Sequence, residues 1–134
     1  FGLNLITQKA RHLMPVGSSI LALTSMGSNR VIPNYAFIGA SKAALESLVR
    51  SLSVELAPYG ISANTICAGA VDTDALKYFP NRQELLEKSK NHSLVGRNIT
   101  PEDVADVVYL MCLPEASMIR GQTIIVDGGY SILG

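Results

Sequence analysis

A doubly wound parallel α/β sheet is the fold this sequence predicts, and three observations carry it. Short apolar runs at 18–24, 61–67 and 122–126 read as strands. They are apolar on both faces, as strands buried under helices on each side must be. Segments with helical spacing separate them, giving the order helix, strand, helix, strand, helices, strand.

The bulk numbers suit one compact domain. The chain has 134 residues, 48% of them hydrophobic and 16% charged, enough apolar material for a core and too much for disorder. Eleven basic residues offset eleven acidic ones, so charge points neither to nucleic acid nor to an anionic membrane. No apolar run approaches the roughly 18 residues of a membrane span, and no signal peptide is visible. Cys67 and Cys112 are lone cysteines in apolar surroundings; they read as buried thiols in a reducing compartment, the cytosol. His12 and His92 lie far apart without metal-ligand spacing and read as surface residues, so no metal site is expected.

Taken in order, residues 1–14 are helical through Leu3, Ile6, Ala10 and Leu13, with no capping residue before them. The chain thus reads as beginning inside a helix, as the C-terminal part of a longer protein. The strand 18–24 leads into a loop, 25–33, marked by Gly27, Ser28, Asn29 and Pro33. A long helix follows over 35–57. Leu45, Leu48, Leu52 and Leu56 form its apolar stripe, and Glu46 and Arg50 stand at pairing distance. Pro58 and Gly60 end it, and the strand 61–67 and a glycine-containing loop, 68–74, come next. Asn81 with Glu84 reads as a capping box for a short polar helix, 82–90. Thr100 and Asp103 repeat the device, with Pro101 at the first helical position of a helix reaching Cys112. The last strand, 122–126, runs into Asp127-Gly128-Gly129. Tyr59 and Tyr109 read as packing residues.

In such a sheet ligands bind outside the carboxyl ends of the strands. Thr24-Ser25, the loop 68–73 and Asp127-Gly128-Gly129 all fall there. Tyr35 and Lys42 follow the first of these loops. Seven residues make nearly two helical turns, so one ligand can reach both side chains, about 10 Å apart along the axis. The residue four before Lys42 is Ile38, which can neither give nor take a proton.

The segment Ile32-Pro-Asn-Tyr-Ala-Phe-Ile-Gly-Ala-Ser-Lys-Ala-Ala-Leu-Glu46 resembles the active-site helix of the short-chain dehydrogenase/reductase superfamily. Ala63-Asn64, Ala68-Gly-Ala-Val-Asp-Thr73, Gly96-Arg97, Thr100-Pro-Glu-Asp-Val-Ala105 and Ile119-Arg-Gly-Gln-Thr-Ile-Ile-Val-Asp-Gly-Gly129 resemble its later landmarks, in order. The resemblance covers essentially the whole chain and implies the C-terminal half of a Rossmann-type fold. Most of the superfamily has Tyr-x3-Lys. The Tyr-x6-Lys spacing found here resembles the bacterial enoyl-acyl-carrier-protein reductases, and the stretches 71–82 and 118–129 look closest to the NADPH-dependent type III enzymes of bacilli.

That resemblance implies reduction of a trans-2-enoyl thioester on acyl carrier protein by NADPH, with NADH the other option. Tyr35 is then the donor to the thioester carbonyl, and Lys42 supplies a cation and binds the nicotinamide ribose. Ser25 occupies the superfamily's catalytic serine position, where the commonest enoyl reductases have a second tyrosine. Thr24, Gly69, Ala70, Val71 and Thr73 are expected at the cofactor, and Tyr78 and Phe79 at the acyl chain. Ala68 and Ala70 depart from the Pro-Gly form usual in that loop. The leucine-rich helix resembles the family's subunit interface, implying a cytoplasmic homotetramer; Lys77, Arg82, Lys88 and Lys90 read first as a solvated face and otherwise as a basic face for an acidic carrier.

No glycine-rich turn for a pyrophosphate occurs, so the nucleotide-binding half and the residues choosing NADP over NAD belong to about 110–120 preceding residues. Three strands without neighbours leave apolar faces bare, and the chain is expected to need that half for stability and activity. A 3-oxoacyl or other carbonyl reductase of the superfamily is the alternative, which Ile38 disfavours. A catalytically silent member binding nucleotide or a partner chain is the second.

Overall fold

The computed structural model describes residues 2–133. Its elements are α1 (Gly2–Ala10), β1 (Ser19–Ser25), α2 (Ala36–Leu56), β2 (Ser62–Ala68), α3 (Arg82–His92), α4 (Pro101–Met111) and β3 (Thr123–Val126). Each predicted strand is present, displaced by at most one residue. The helix expected over 1–14 is α only to Ala10 and closes as a 3-10 turn, Arg11–Leu13.

The three strands are parallel in the order β1-β2-β3, with Ile20 opposite Ala63, Thr24 opposite Cys67 and Cys67 opposite Ile125. Side chains alternate between faces along a strand. Ile20, Ala22, Ala63 and their neighbours therefore share one face, where they pack on Val49, Leu52 and Leu56 of α2 and on Leu3 of α1. The opposite face of β2 and β3 is covered by α4. β2, paired on both edges, is buried from Ser62 to Cys67. The outer strands are less covered: Leu23 is 56% and Ile125 48% exposed, on opposite faces. Bare apolar surface of this kind was expected for a three-stranded sheet.

The α2 stripe runs as read, through Leu45, Leu48, Leu52 and Leu56, but it faces the chain's own sheet. Leu52 and Leu56 are buried there and Leu45 and Leu48 partly so, while the outward face carries Val54, 75% exposed. The helix ends in a 3-10 turn over Ala57–Tyr59, closed by Gly60 at φ 68°.

The two capping readings part company. Thr100 is extended (φ −108°, ψ 164°), its hydroxyl accepts from the Asp103 N–H at 3.3 Å, and the Asp103 carboxylate accepts from the Thr100 N–H at 2.8 Å. Asn81 has φ −104°, ψ 28°, not the extended backbone that aims a cap side chain at the first turn, and it makes no cap bond.

Three further expectations are corrected. Cys67 is buried, but Cys112 is exposed. Residue 111 faces the core, and the next residue lies about 100° round the helix. Tyr59 and Tyr109 are 46% and 66% exposed. The Tyr59 hydroxyl instead accepts from the Arg11 guanidinium at 2.6 Å. Glu46 does not pair with Arg50; it takes a hydrogen bond from Thr24.

Candidate active site

The carboxyl ends of the three parallel strands form one rim, and the approach to it is set by a tight turn. The Tyr35 N–H donates to the Ile32 carbonyl at 3.2 Å, closing a four-residue turn with Pro33 second and Asn34 third. Asn34 has φ 61°, and proline followed by a positive φ is the signature of a type II turn. Tyr35 is consequently the residue before α2 rather than within it, at φ −117°, ψ 9°. Its carbonyl accepts from the Gly39 N–H at 2.7 Å, the first bond of the helix.

From there α2 meets the end of β1 at regular intervals. The Tyr35 hydroxyl lies 3.0 Å from the Ser25 hydroxyl. Gly39 packs against the Gly27 carbonyl. The Lys42 ammonium donates to the Leu23 carbonyl at 3.0 Å, and the Thr24 hydroxyl donates to the Glu46 carboxylate at 2.7 Å. Residues 35, 39, 42 and 46 form one stripe, which continues as the buried positions 49, 53 and 56. Ile38, three residues after Tyr35 and four before Lys42, flanks it and is 44% exposed. Ser25 and the Leu23 carbonyl are two residues apart on a strand, about 7 Å, so the phenol and the ammonium address neighbouring points of the rim.

The second loop approaches the same rim. The Gly69 N–H donates to the Val126 carbonyl at 3.0 Å. A β-carbon on Gly69 would stand 2.9 Å from the Ile99 side chain and 3.0 Å from that of Asp127, so only glycine fits there without displacement. Ala70 and Val71 are half-buried, and Val71 bridges to Ile99. Thr73 is exposed at the head of a 3-10 turn, Asp74–Tyr78. Beyond it the Phe79 ring lies 5.9 Å from that of Tyr35, whereas Tyr78 is 88% exposed. Of the two aromatics expected at the acyl chain, the structure brings only Phe79 to Tyr35. Thr24 is 5% exposed with its hydroxyl given to Glu46, which leaves its backbone alone for a ligand.

The third loop is a brace. Buried Asp127 accepts from the N–H groups of Gly129 at 2.9 Å and Ser131 at 2.8 Å. Arg30, from the first loop, donates to the Ser131 carbonyl. Asp127 is thus fully engaged in holding the turn.

Charge around the rim is mostly paired. Lys77 bonds Asp74 and Arg82 bonds Asp72, leaving Lys88 and Lys90 of the expected basic face without an ion pair among the described residues. Arg97 grips Asp103 at 2.6 and 2.7 Å and, with the Thr100 N–H, holds that carboxyl well below the usual range. Burial first, then the charges of Glu46 and Asp127, push the Cys67 thiol up to about 11. Among the described residues no group of His, Cys, Asp and Glu is placed to hold a metal, and no helix is long and apolar enough to cross a membrane. An open cleft of about 750 Å³, lined by residues including Arg11, Val16 and Tyr59, lies at the amino ends of the strands, away from Tyr35.

Sequence reasoning missed Glu46 as the partner of Thr24, and the roles of Gly27 and Gly39. The available signal was the 3-4 spacing of 35, 39, 42, 46 and 49, a stripe that passes from polar to apolar without changing face.

Comparison with known proteins agrees with this geometry. The family model for enoyl-(acyl carrier protein) reductase matches residues 1–131. A 1-cyclohexenylcarbonyl-CoA reductase of Streptomyces collinus is 41% identical over 128 residues, 94% of this chain and 46% of the relative. An NADH-named enoyl-[acyl-carrier-protein] reductase of Bacillus cereus is 34% identical over 134 residues, 100% of this chain and 52% of its own length. The crystal structure of a Bacillus cereus enoyl-acyl carrier protein reductase with NADP+ and indole naphthyridinone superposes with a TM-score of 0.96 at 34% identity, covering 100% of this chain and 52% of that one. The chain therefore spans about half the length of the curated relatives it matches. Three parallel strands, a tyrosine and a lysine on one helical stripe, and a match along nearly the whole chain place it in the enoyl-(acyl carrier protein) reductase family of short-chain dehydrogenase/reductase proteins.

Proposed function

We propose that this chain is the C-terminal, proton-donating half of an enoyl-thioester reductase that uses NADPH to reduce a trans-2-enoyl chain carried on acyl carrier protein. The observation that carries the reading is the Tyr35 phenol, held 3.0 Å from Ser25 and seven residues before Lys42, with Ile38 at the alternative tyrosine position.

A nicotinamide nucleotide, when bound, would supply the hydride that the β-carbon of the enoyl group accepts. Negative charge then develops on the thioester oxygen. A phenol already oriented toward that oxygen stabilises it without reorganising. Ser25 orients the phenol. The Lys42 ammonium has three N–H donors and gives one to Leu23, so two remain for ribose hydroxyls. The exposed Thr73 hydroxyl, the backbone of Gly69–Val71 and that of Thr24 fit a carboxamide edge at the rim. Phe79 offers an apolar wall to the acyl chain, and Tyr78 must turn inward to join it.

The nucleotide-binding half belongs to the preceding part of the parent protein. We place that parent in the cytosol as a homotetramer, supported by the exposed apolar side chains Val31, Phe37 and Val54. The similarity to a relative named as a CoA reductase makes the thioester carrier a question for the same assay.

The test is nucleotide oxidation by the full-length parent, with NADPH and NADH, on trans-2-enoyl-acyl carrier protein, trans-2-enoyl-CoA and a 3-oxoacyl thioester. Turnover of the enoyl substrates, lowered at least ~100-fold in kcat by Tyr35→Phe, is expected from the loss of one preorganised donor. Turnover of the 3-oxo substrate alone would reassign the chain to carbonyl reduction, and activity unchanged in Tyr35→Phe would remove the tyrosine from the mechanism.

A further inference from the structure

We propose that Gly27 and Gly39 are positioning residues that fix the Tyr35 phenol by letting backbone press directly on one side of its ring. The inference deepens the reading of Tyr35 as the donor and rests on it. A β-carbon at Gly27 would stand 2.4 Å from Cδ1 and 2.5 Å from Cε1 of the Tyr35 ring. Its next neighbour, Ile32 Cδ1, is at an ordinary 3.4 Å. The ring alone excludes a side chain there. Gly27 is not among the glycines with positive φ, so its backbone would accept alanine. What the position cannot accept is the extra atom.

Gly39 repeats the argument one step away. It sits in the first turn of α2, where alanine is the better helix former. Yet a β-carbon at Gly39 would stand 2.5 Å from the Gly27 carbonyl oxygen. Gly39 lets the turn carrying Gly27 press onto the helix, and Gly27 lets that turn press onto the ring. The Ser25 hydroxyl meets the phenol's tip and Phe79 its flank, so the ring is contacted at both ends of its reach as well as by Gly27.

Alanine at Gly27 demands that the ring retreat by about 1 Å, the difference between 2.4 Å and the 3.4 Å at which ordinary contact begins. A misplacement of that size costs up to about 100-fold in rate. In the full-length parent, Gly27→Ala is expected to lower kcat per folded site about 100-fold, and Gly39→Ala about 10-fold, while KM for the thioester and Kd for the nucleotide stay within about twofold. A role confined to stability would lower the folded fraction and leave kcat per folded site alone.

The second readout is a double-mutant cycle in thermal unfolding, which needs no turnover. Gly27→Ala is expected to lower the midpoint by about 5 °C or more beside Tyr35, and by no more than about 1–2 °C in a Tyr35→Ala background. Should Gly27→Ala fold only in the Tyr35→Ala background, the proposal is supported outright. Equal loss in both backgrounds, or failure to fold in both, overturns it, as does an unchanged kcat in both glycine variants of an active parent. If the wild-type parent reduces no enoyl thioester, the proposed function has failed and the cycle alone decides the packing claim.

Discussion

The Tyr35 phenol stands between two walls built in different ways. One is the junction of β1 and α2, where Gly27, Gly39 and Ser25 meet the ring, and the same helix is anchored further along by the buried Val49, Leu52 and Leu56. Its geometry is set by backbone approach and by a core, neither of which can adjust cheaply. The other is the segment 70–82, which brings Phe79 to the ring. It is held by the Val71–Ile99 bridge and by the ion pairs Arg82–Asp72 and Lys77–Asp74, the latter 65% and 90% exposed. Exposed pairs contribute little, typically 0–1 kcal/mol. Under the proposed function the contrast separates two tasks: a stiff wall aims the phenol, and a looser one is left to fit the acyl chain.

The largest way to break this contrast is to hollow the stiff wall. Leu52 is 3% exposed, and Leu52→Ala is expected to cost about 3 kcal/mol in urea unfolding of the full-length protein, from lost transfer energy and the cavity left behind. An unchanged midpoint would show that this core does not bear on the parent's stability.

A pH series sharpens the comparison from within the same wall. Cys67 lies opposite Thr24 in the sheet, and its thiol is raised from 9.0 to about 11. A raised pKa means that the folded chain keeps a proton which the unfolded chain releases. The thiol's contribution is therefore complete below pH 9 and is lost as pH climbs from about 9 to about 11. Between pH 8 and pH 10.5 the wild type should lose more stability than Cys67→Ala, measured by urea midpoints. Equal losses would assign the effect to other groups.

The smallest effect belongs to the looser wall. Arg82→Ala should cost less than about 1 kcal/mol, because Arg82 and Asp72 are 36% and 50% exposed. It should leave kcat unchanged and alter the thioester KM no more than a few-fold. A loss of several kcal/mol would make the two walls equivalent.

Much of this was readable in the sequence because it rests on local pattern. Strands buried on both faces leave short apolar runs, and those runs located all three to within a residue. The α2 stripe and the Thr100–Asp103 box are likewise local repeats. What escaped depends on contacts across space. Glu46 has Arg50 one turn away in sequence, but Thr24 offers it a buried donor, which wins over an exposed pair. Gly27 and Gly39 lack the positive φ that makes a glycine conspicuous, and their reason is a ring that only folding brings near. Asn81 has the right residue type for a cap and the wrong backbone, which composition does not encode.

The parallel register described earlier has a consequence in time. The Ser62–Ser19 hydroxyl bond joins residues 43 apart in sequence, and that of Thr65 with Thr123 joins residues 58 apart. Every rung of the sheet closes a loop of this order before it returns any stabilisation. The turns of α2 form from neighbours and are available early, while the sheet comes late, as long-range topologies do. Ser25 and Tyr35 are only 10 residues apart, but Gly69 joins the rim through Val126 and so waits for the sheet, which makes the complete site one of the last features to exist. Regained catalysis in the parent would then trail regained helix, and would report the completion of folding rather than its onset.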